Sequence, residues 1–371
     1  MKLSIERAAL LRSLNHVQSV VERRNTIPIL SNVLMKAEDG VLSLSSTDMD
    51  LEINESVAAE VSEPGTTTAP AHTFHDIVRK LPDGSNIEIE LNPDNTQMTV
   101  RSGRSKFKLS CLPAGDFPEI SAGELPTEFS LPAGDLRALV DRTKFAMSTE
   151  ETRYYLNGIY VHEADNDGVK VLRAVSTDGH RLARFEMPLP EGAASMPGVI
   201  LPRKAVGELR KLIEDAADVI QISLSENKIR FSFDHVVLTS KLIDGTFPDY
   251  QRVIPEGNDK IVEIDPKVFT RAIDRVSTIS DGKSRALKIT LQSKQMILSA
   301  SSPEAGSATE ELEVNGDCSM EIGFNAKYLL DITSQIEGEG CRLTLADSAS
   351  PTIIQDNSDP SSLYVLMPLR V

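Results

Sequence analysis

Three stretches of the chain repeat one alternation of apolar and polar positions. LSIERAALLRSL from Leu3, FSLPAGDLRALV from Phe129 and VEIDPKVFTRAI from Val262 each begin as a short strand with every second residue apolar. Each then passes a polar or proline-bearing start and continues with the three-to-four-residue spacing of an amphipathic helix. Leu10, Leu136 and Phe269 fall at the same offset, and the repeat starts lie 126 and 133 residues apart. A second strand in each copy runs into a polar corner: VLSLSSTDMD from Val41, VLRAVSTDGH from Val171, MILSASSPEA from Met296. A second helix follows, in HTFHDIVRKLPDG, LPRKAVGELRKLIED and FNAKYLLDITSQI, and then hairpin-like strand pairs such as IQISLSENKIRFSF. The pattern predicts helices over 6–24, 72–82, 132–148, 202–216, 265–281 and 325–336.

A period this long exceeds that of solenoid repeats and indicates triplication of a whole domain. The linkers EISAGELPTEFS and VIPEGNDKIVEI carry Gly, Pro and acids and set the expected domains at 1–121, 122–255 and 256–371. Each is expected to hold two helices and about eight strands, an α+β unit whose sheet buries one face beneath the helix pair.

Composition changes this picture in one respect. The 371 residues carry 39 Lys and Arg against 55 Asp and Glu, a net charge of -16, the opposite of the basic footprint usual in a nucleic-acid binder. The predicted helices, however, hold 17 basic and 12 acidic residues, a net +5 that leaves -21 for strands and loops. Such segregation suits a protein that meets a polyanion with one class of element and repels it with the other. No apolar run approaches the roughly 18–20 residues of a membrane span, and charges interrupt the N-terminal apolar part, so the expected location is cytoplasmic. Cys111, Cys318 and Cys341 are too few and too widely spaced for a disulfide framework or a zinc site.

STDGHRLA, Ser176 to Ala183, is the densest cluster of chemistry. In an extended segment Ser176, Asp178 and His180 share a face about 6.6 Å apart, beyond nucleophile-to-base reach, while Gly179 permits a bend that redirects them. The spacing alone leaves a hydrolase built on these three residues open, beside a triplicated binding scaffold. DGKS from Asp281 imitates the end of a phosphate loop, but Ser277 stands where that motif needs its first Gly. His72 and His75 share a helix face without a third ligand and read as surface histidines. No metal or other cofactor is expected.

Five stretches, VVERRNTIPILSNVL from Val20, TRYYLNGIYV from Thr152, STDGHRLA, GTFPDYQRVIP from Gly245 and the terminal YVLMPLRV from Tyr364, occur in one order over the whole chain. In these the sequence resembles the bacterial DNA polymerase III beta subunit, the replicative sliding clamp. The resemblance implies the DNA clamp fold: a ring-shaped head-to-tail homodimer of three-domain chains, helices lining the inside and antiparallel sheets outside. It implies a non-catalytic processivity factor that encircles double-stranded DNA without sequence preference. The implied partners are the DNA polymerase III catalytic subunit, the clamp-loader complex, and other polymerases and repair proteins with clamp-binding peptides.

The same resemblance assigns a peptide pocket to Leu156, Thr177, Gly179, His180, Arg181, Leu182, Pro248, Arg252, Val253, Val365, Met367, Pro368, Leu369 and Arg370, with Asn325 and Tyr328 as further candidates. Leu, Val, Pro and Met there suit an adaptable apolar cavity, and His and Arg suit a peptide's polar groups. Ala349 stands where family members often carry a larger apolar residue, which predicts a roomier site. The implied DNA contacts are Arg24, Arg153, Tyr154, Tyr155 and Lys204, with Glu150 a departure from the uncharged residue other clamps can carry. Phe107, Leu109 and Ile279 match dimer-interface positions.

Overall fold

In the computed structural model, which describes residues 1–121, 123–214, 219–280 and 285–370, the repeat appears as six helices, each entered directly from a strand. They are α1 (Arg7–Val17), α2 (Ala71–Lys80), α3 (Ala133–Asp141), α4 (Arg203–Leu212), α5 (Pro266–Ser277) and α6 (Ala326–Thr333). Junction residues start several of them. Glu6 accepts the Ala9 N–H at 2.9 Å, Asp265 accepts those of Lys267 and Val268 ahead of Pro266, and Asn325 accepts those of Lys327 and Tyr328. Leu10, Leu136 and Phe269, equivalent by sequence offset, are all buried, so the amphipathic reading of the repeat holds.

The helices are shorter than the periodicity predicts. α1 stops at Val17, and residues 18–24 continue as turns and bends; beyond Asp141 the chain tightens into a short 3-10 segment, Lys144–Ala146. Residues 215–216 of the fourth predicted helix and Asp281–Ser284, the DGKS stretch, lie outside the described residues. Shortening sharpens the charge contrast, because the six helices as drawn carry 13 Lys and Arg against 6 Asp and Glu.

All strand pairing within the sheets is antiparallel, and the sheets do not respect the repeat boundaries. One eight-stranded sheet runs Thr127–Pro132, Val219–Leu224, Lys228–Phe233, Val236–Lys241, Leu51–Ala58, Val41–Thr47, Asn32–Glu38, Gly65–Pro70. It joins the first and second copies through Val236–Lys241 on Leu51–Ala58, with Leu238 opposite Ile53. A second eight-stranded sheet joins the second and third copies through Ser362–Leu366 on Arg181–Pro188, with Tyr364 opposite Ala183. A five-stranded sheet ends on Ser105–Ser110 and a four-stranded sheet on Gly306–Glu313. The chain accordingly forms two compact units, residues 1–137, 190–194 and 204–242 against 138–189, 195–203 and 243–371, with the central copy divided between them.

In the first unit Leu10, Leu14 and Val17 of α1 and Phe74 and Val78 of α2 are buried. His72 and His75 are not surface histidines. Their rings bond Gln18 Oε1, the Val21 carbonyl and Asn15 Oδ1, so α2 is tied to α1 and the turn after it. In the second unit α5 and α6 cover a core containing Phe269, Ile273, Leu298, Phe324 and Leu329. The turn after α6 is gathered by Asp356, whose carboxylate accepts the N–H groups of Glu337, Gly338 and Ser358 and the Ser358 hydroxyl at 2.6–3.1 Å. Burial pushes the pKa of this carboxyl up, but the hydrogen bonds more than reverse it and hold it below the ordinary value. Asp356→Asn should cost on the order of 2 kcal/mol. With its folded pKa depressed, the advantage of the wild type is present above the unfolded value near pH 4 and disappears as pH falls through the folded one. Urea midpoints of the two proteins at pH 7 and pH 2.5 check both statements.

Candidate peptide-binding site and nucleic-acid interface

The corner between strands Val169–Thr177 and Arg181–Pro188 is a self-bonded turn. Thr177 Oγ1 accepts the Gly179 N–H and donates to the Arg181 carbonyl, while Asp178 Oδ1 accepts the N–H groups of His180 and Arg181. Gly179 has φ +88°, and a Cβ there would lie 2.6 Å from the Arg153 guanidinium. Glycine takes this left-handed backbone without strain, and a Cβ here would push the end of the Arg153 side chain aside. The first copy builds the same corner. Met49, Asp50 and Leu51 N–H groups reach Thr47 Oγ1 and Asp48 Oδ1, and Met49 takes the left-handed place of Gly179 at φ +80°.

Arg181 turns inward. Its Nε meets Asp178, one terminal nitrogen meets Asp331 of α6 at 2.5 Å, the other meets the Phe145 carbonyl, and the guanidinium lies 4.3 Å over the Tyr328 ring. It braces the wall from behind, and His180 is the exposed face, its ring stacked on Tyr328. Burial raises the Tyr328 hydroxyl pKa, and Asn325, capping α6, fixes the Tyr328 backbone.

Beneath the corner Leu156, Leu182 and Val365 form a floor with Val175, Ile200, Phe247, Tyr250 and Leu363. Pro248, Arg252, Val253 and Met367 are exposed around it, with Val253 50% and Met367 41% accessible. Large apolar side chains this open are what a partner's anchor residues would cover. The terminal segment is pinned by the Met367 N–H to the His180 carbonyl and the Leu369 N–H to the Gly323 carbonyl. Pro368, Leu369 and Arg370 then line a cleft of about 610 Å³ with Ala349 on its wall.

Ser176 is fully buried and donates to the Thr143 carbonyl, while both Asp178 oxygens are engaged by the turn and by Arg181. The hydroxyl, carboxylate and imidazole do not form a relay. Among the described residues no cluster of three or more His, Cys, Asp or Glu is disposed to hold a metal, and no helix is long and apolar enough to cross a membrane.

The residues assigned to DNA differ in availability. Arg24 is exposed, with no ion pair to a described residue. Arg153 is gripped by Glu150 through two bonds of 2.8 and 2.6 Å, which leaves its remaining terminal nitrogen against Gly179. Tyr154 is 53% exposed, and Tyr155 packs on the floor cluster. The Lys204 ammonium is taken up by Val20, Glu22 and Asp48. Of the positions assigned to the dimer interface, Leu109 is buried under its own sheet, and Phe107 and Ile279 are half-buried.

Comparison with known proteins settles the family. Models of the DNA polymerase III beta subunit match in register: the N-terminal domain over residues 1–121, the central domain over 130–249 and the C-terminal domain over 251–370. The chain belongs to this family. The beta sliding clamp of Caulobacter vibrioides strain NA1000 is 53% identical over 372 residues, and that of Escherichia coli strain K12 is 39% identical over 373, each covering 100% of both chains. A crystal structure of the Caulobacter crescentus beta sliding clamp with PEG bound superposes with a TM-score of 0.98, covering 100% of this chain and 99% of that one at 53% identity. The Bartonella birtlesii sliding clamp bound to griselimycin gives 0.97 at 50% identity, covering 100% of both chains. As a member of the family the chain has three DNA clamp domains and is a processivity factor of DNA replication.

Two parts of the site escaped the sequence reading. Tyr250 and Phe247 sit inside the quoted GTFPDY stretch. The Tyr250 hydroxyl anchors the loop carrying Pro248, Arg252 and Val253, by meeting Arg173 and His162 at 3.0 Å each; Arg173 in turn pairs with buried Glu186. Burial holds His162 below the usual imidazole range. The i, i+3 aromatic spacing was the available signal. The strand Gly306–Glu313 is the other; its run TEELE marks an acidic edge. Tyr250→Phe should leave Arg173 and His162 short of a partner and cost about 1–3 kcal/mol in urea unfolding, with weaker binding of pocket-directed peptides.

Proposed function

We propose that two copies of this chain, each with domains 1–121, 122–255 and 256–371, join head to tail into a closed ring. The ring surrounds duplex DNA, slides along it and tethers partners through the pocket. One observation carries the reading. The last strand of the second copy, Val236–Lys241, pairs with Leu51–Ala58 of the first, and the last strand of the third, Ser362–Leu366, pairs with the equivalent Arg181–Pro188 of the second. By the same rule the last strand of the first copy, Ser105–Ser110, calls for Gly306–Glu313 of a third copy, and both are sheet edges. A second chain supplies each edge with its match, and a head-to-tail contact that closes makes a ring.

Charge supports this pairing. Lys106 and Lys108 are exposed on one edge, and Glu311 and Glu313 on the other. Phe107 and Leu109 would meet the apolar side of the partner edge, with Ile279 nearby. Cationic helices within a chain of net charge -16 support an inner wall that accepts phosphates at any sequence and an outer wall that repels them. Arg24, Tyr154 and Tyr155 are the DNA-side residues of this reading, and Arg153 stands at the pocket rim.

The pocket would take short peptides of the polymerase III catalytic subunit, the clamp loader, and other polymerases and repair proteins, their apolar anchors over the Leu156, Leu182 and Val365 floor and their polar groups at His180 and Arg370. The engagement of Ser176 and Asp178 supports a non-catalytic role, and the family's part in replication supports a cytoplasmic one. Light scattering should give twice the 40.5 kDa chain mass, and the loaded protein should remain on nicked circular plasmid and leave the linearised form. Lys106→Glu with Lys108→Glu should give monomers, and mixing with Glu311→Lys, Glu313→Lys should restore dimers across one interface. Wild-type monomers, or equal retention on both DNA forms, would overturn the ring.

A further inference from the structure

The turn that follows α1 is fastened at four successive residues and then presents two free arginines. Ser19 Oγ lies within hydrogen-bond distance of both Glu208 of α4 and the His16 carbonyl, which share its one proton. The Lys204 ammonium, one helical turn before Glu208, donates to the Val20 carbonyl at 3.1 Å and to Glu22 Oε1 at 2.6 Å. His72 of α2 bonds the Val21 carbonyl at 2.9 Å. Arg23 and Arg24 follow, both exposed and without an ion pair to a described residue.

Lys204 also reaches Asp48 Oδ2 at 2.5 Å, while Asp48 Oδ1 holds the N–H groups of Asp50 and Leu51 in the first copy's corner. An ammonium has three donors, and here all three are in use. With two carboxylates around it, the Lys204 locus is net negative and offers a phosphate neither a free N–H nor an attractive field.

We propose that Lys204 is a positioning residue for DNA binding rather than a phosphate ligand: it locks the Val20–Glu22 segment to the Asp48 corner so that Arg23 and Arg24 are held out toward the duplex. This rests on the reading above that the arginine turn faces DNA. The lock limits how far the turn can swing, so the arginines meet phosphate with less ordering left to do on binding.

The test measures affinity of the intact protein for a fluorescent primed duplex by anisotropy at several salt concentrations. Arg23→Ala/Arg24→Ala should weaken binding and flatten the salt dependence, by about one unit of log–log slope for each phosphate no longer neutralised. Lys204→Met should weaken binding about fivefold in the wild-type background, add nothing in the arginine-free background, and be rescued by Lys204→Arg. Glu22→Gln and Asp48→Asn should also weaken binding, although each removes a negative charge. Glu22 is exposed, so its variant carries the test should Lys204→Met fold poorly. Tighter binding by Glu22→Gln or Asp48→Asn, or an undiminished cost of Lys204→Met without the arginines, would overturn the positioning role and leave the arginines' part in DNA binding standing. An arginine-free variant that binds like the wild type would sink that part itself, and the proposal with it.

Discussion

A strand at the end of a sheet exposes a row of N–H and C=O groups that must be paired, covered or hydrated. In this chain that constraint organises everything larger than a single repeat. Two of the three copies meet it by lending a last strand to the copy before, which turns sheets that would each have stopped at a domain boundary into eight-stranded ones. The central copy therefore has no sheet wholly its own. The same requirement, unmet at Ser105–Ser110 and Gly306–Glu313, is what makes a second chain part of the reading.

Shared sheets align the copies, and long cations of the central copy fasten them. Arg142 reaches the Gln335 carbonyl and Glu337, Arg181 reaches Asp331, Lys241 reaches Asp50, and Lys204 reaches Glu22 and Asp48. Burying such a charge is costly unless its partners are complete, and Arg181 and Lys204 have theirs. These residues belong to the junctions, so a count of basic residues overstates the positive charge available to DNA. The exposed cations with no ion pair to a described residue include Arg12, Arg24, Lys80, Lys267 and Arg271.

Much of this was legible from local pattern. Triplication, the strand-to-helix entries and the common burial of Leu10, Leu136 and Phe269 follow from periodicities of two and 3.6 residues, which depend only on near neighbours. Helix ends were less so, because apolar spacing persists past Val17 and Asp141 while the backbone has already turned. The pairings between copies could not be read, since Leu238 and Ile53 meet across 185 residues. Side-chain direction failed for the same reason. Arg181 and Lys204 look like free cations until Asp331, Glu22 and Asp48 arrive from distant segments. Resemblance named the pocket, and geometry then separated Leu156, Leu182 and Val365 in the floor from Arg181 behind the wall.

Lending strands backward along the chain has a cost in time during synthesis. Leu51–Ala58 leaves the ribosome about 180 residues before Val236–Lys241, which at common elongation rates is roughly 10–40 s with one flank bare. Glu52, Asn54 and Glu55 on that strand are poor company for a neighbouring nascent chain, and once folding is complete they are bonded by Ile120, Glu52 and the Ser13–His16 pair respectively. The charges that guard the waiting edge on the polysome thus become internal ties of the finished molecule.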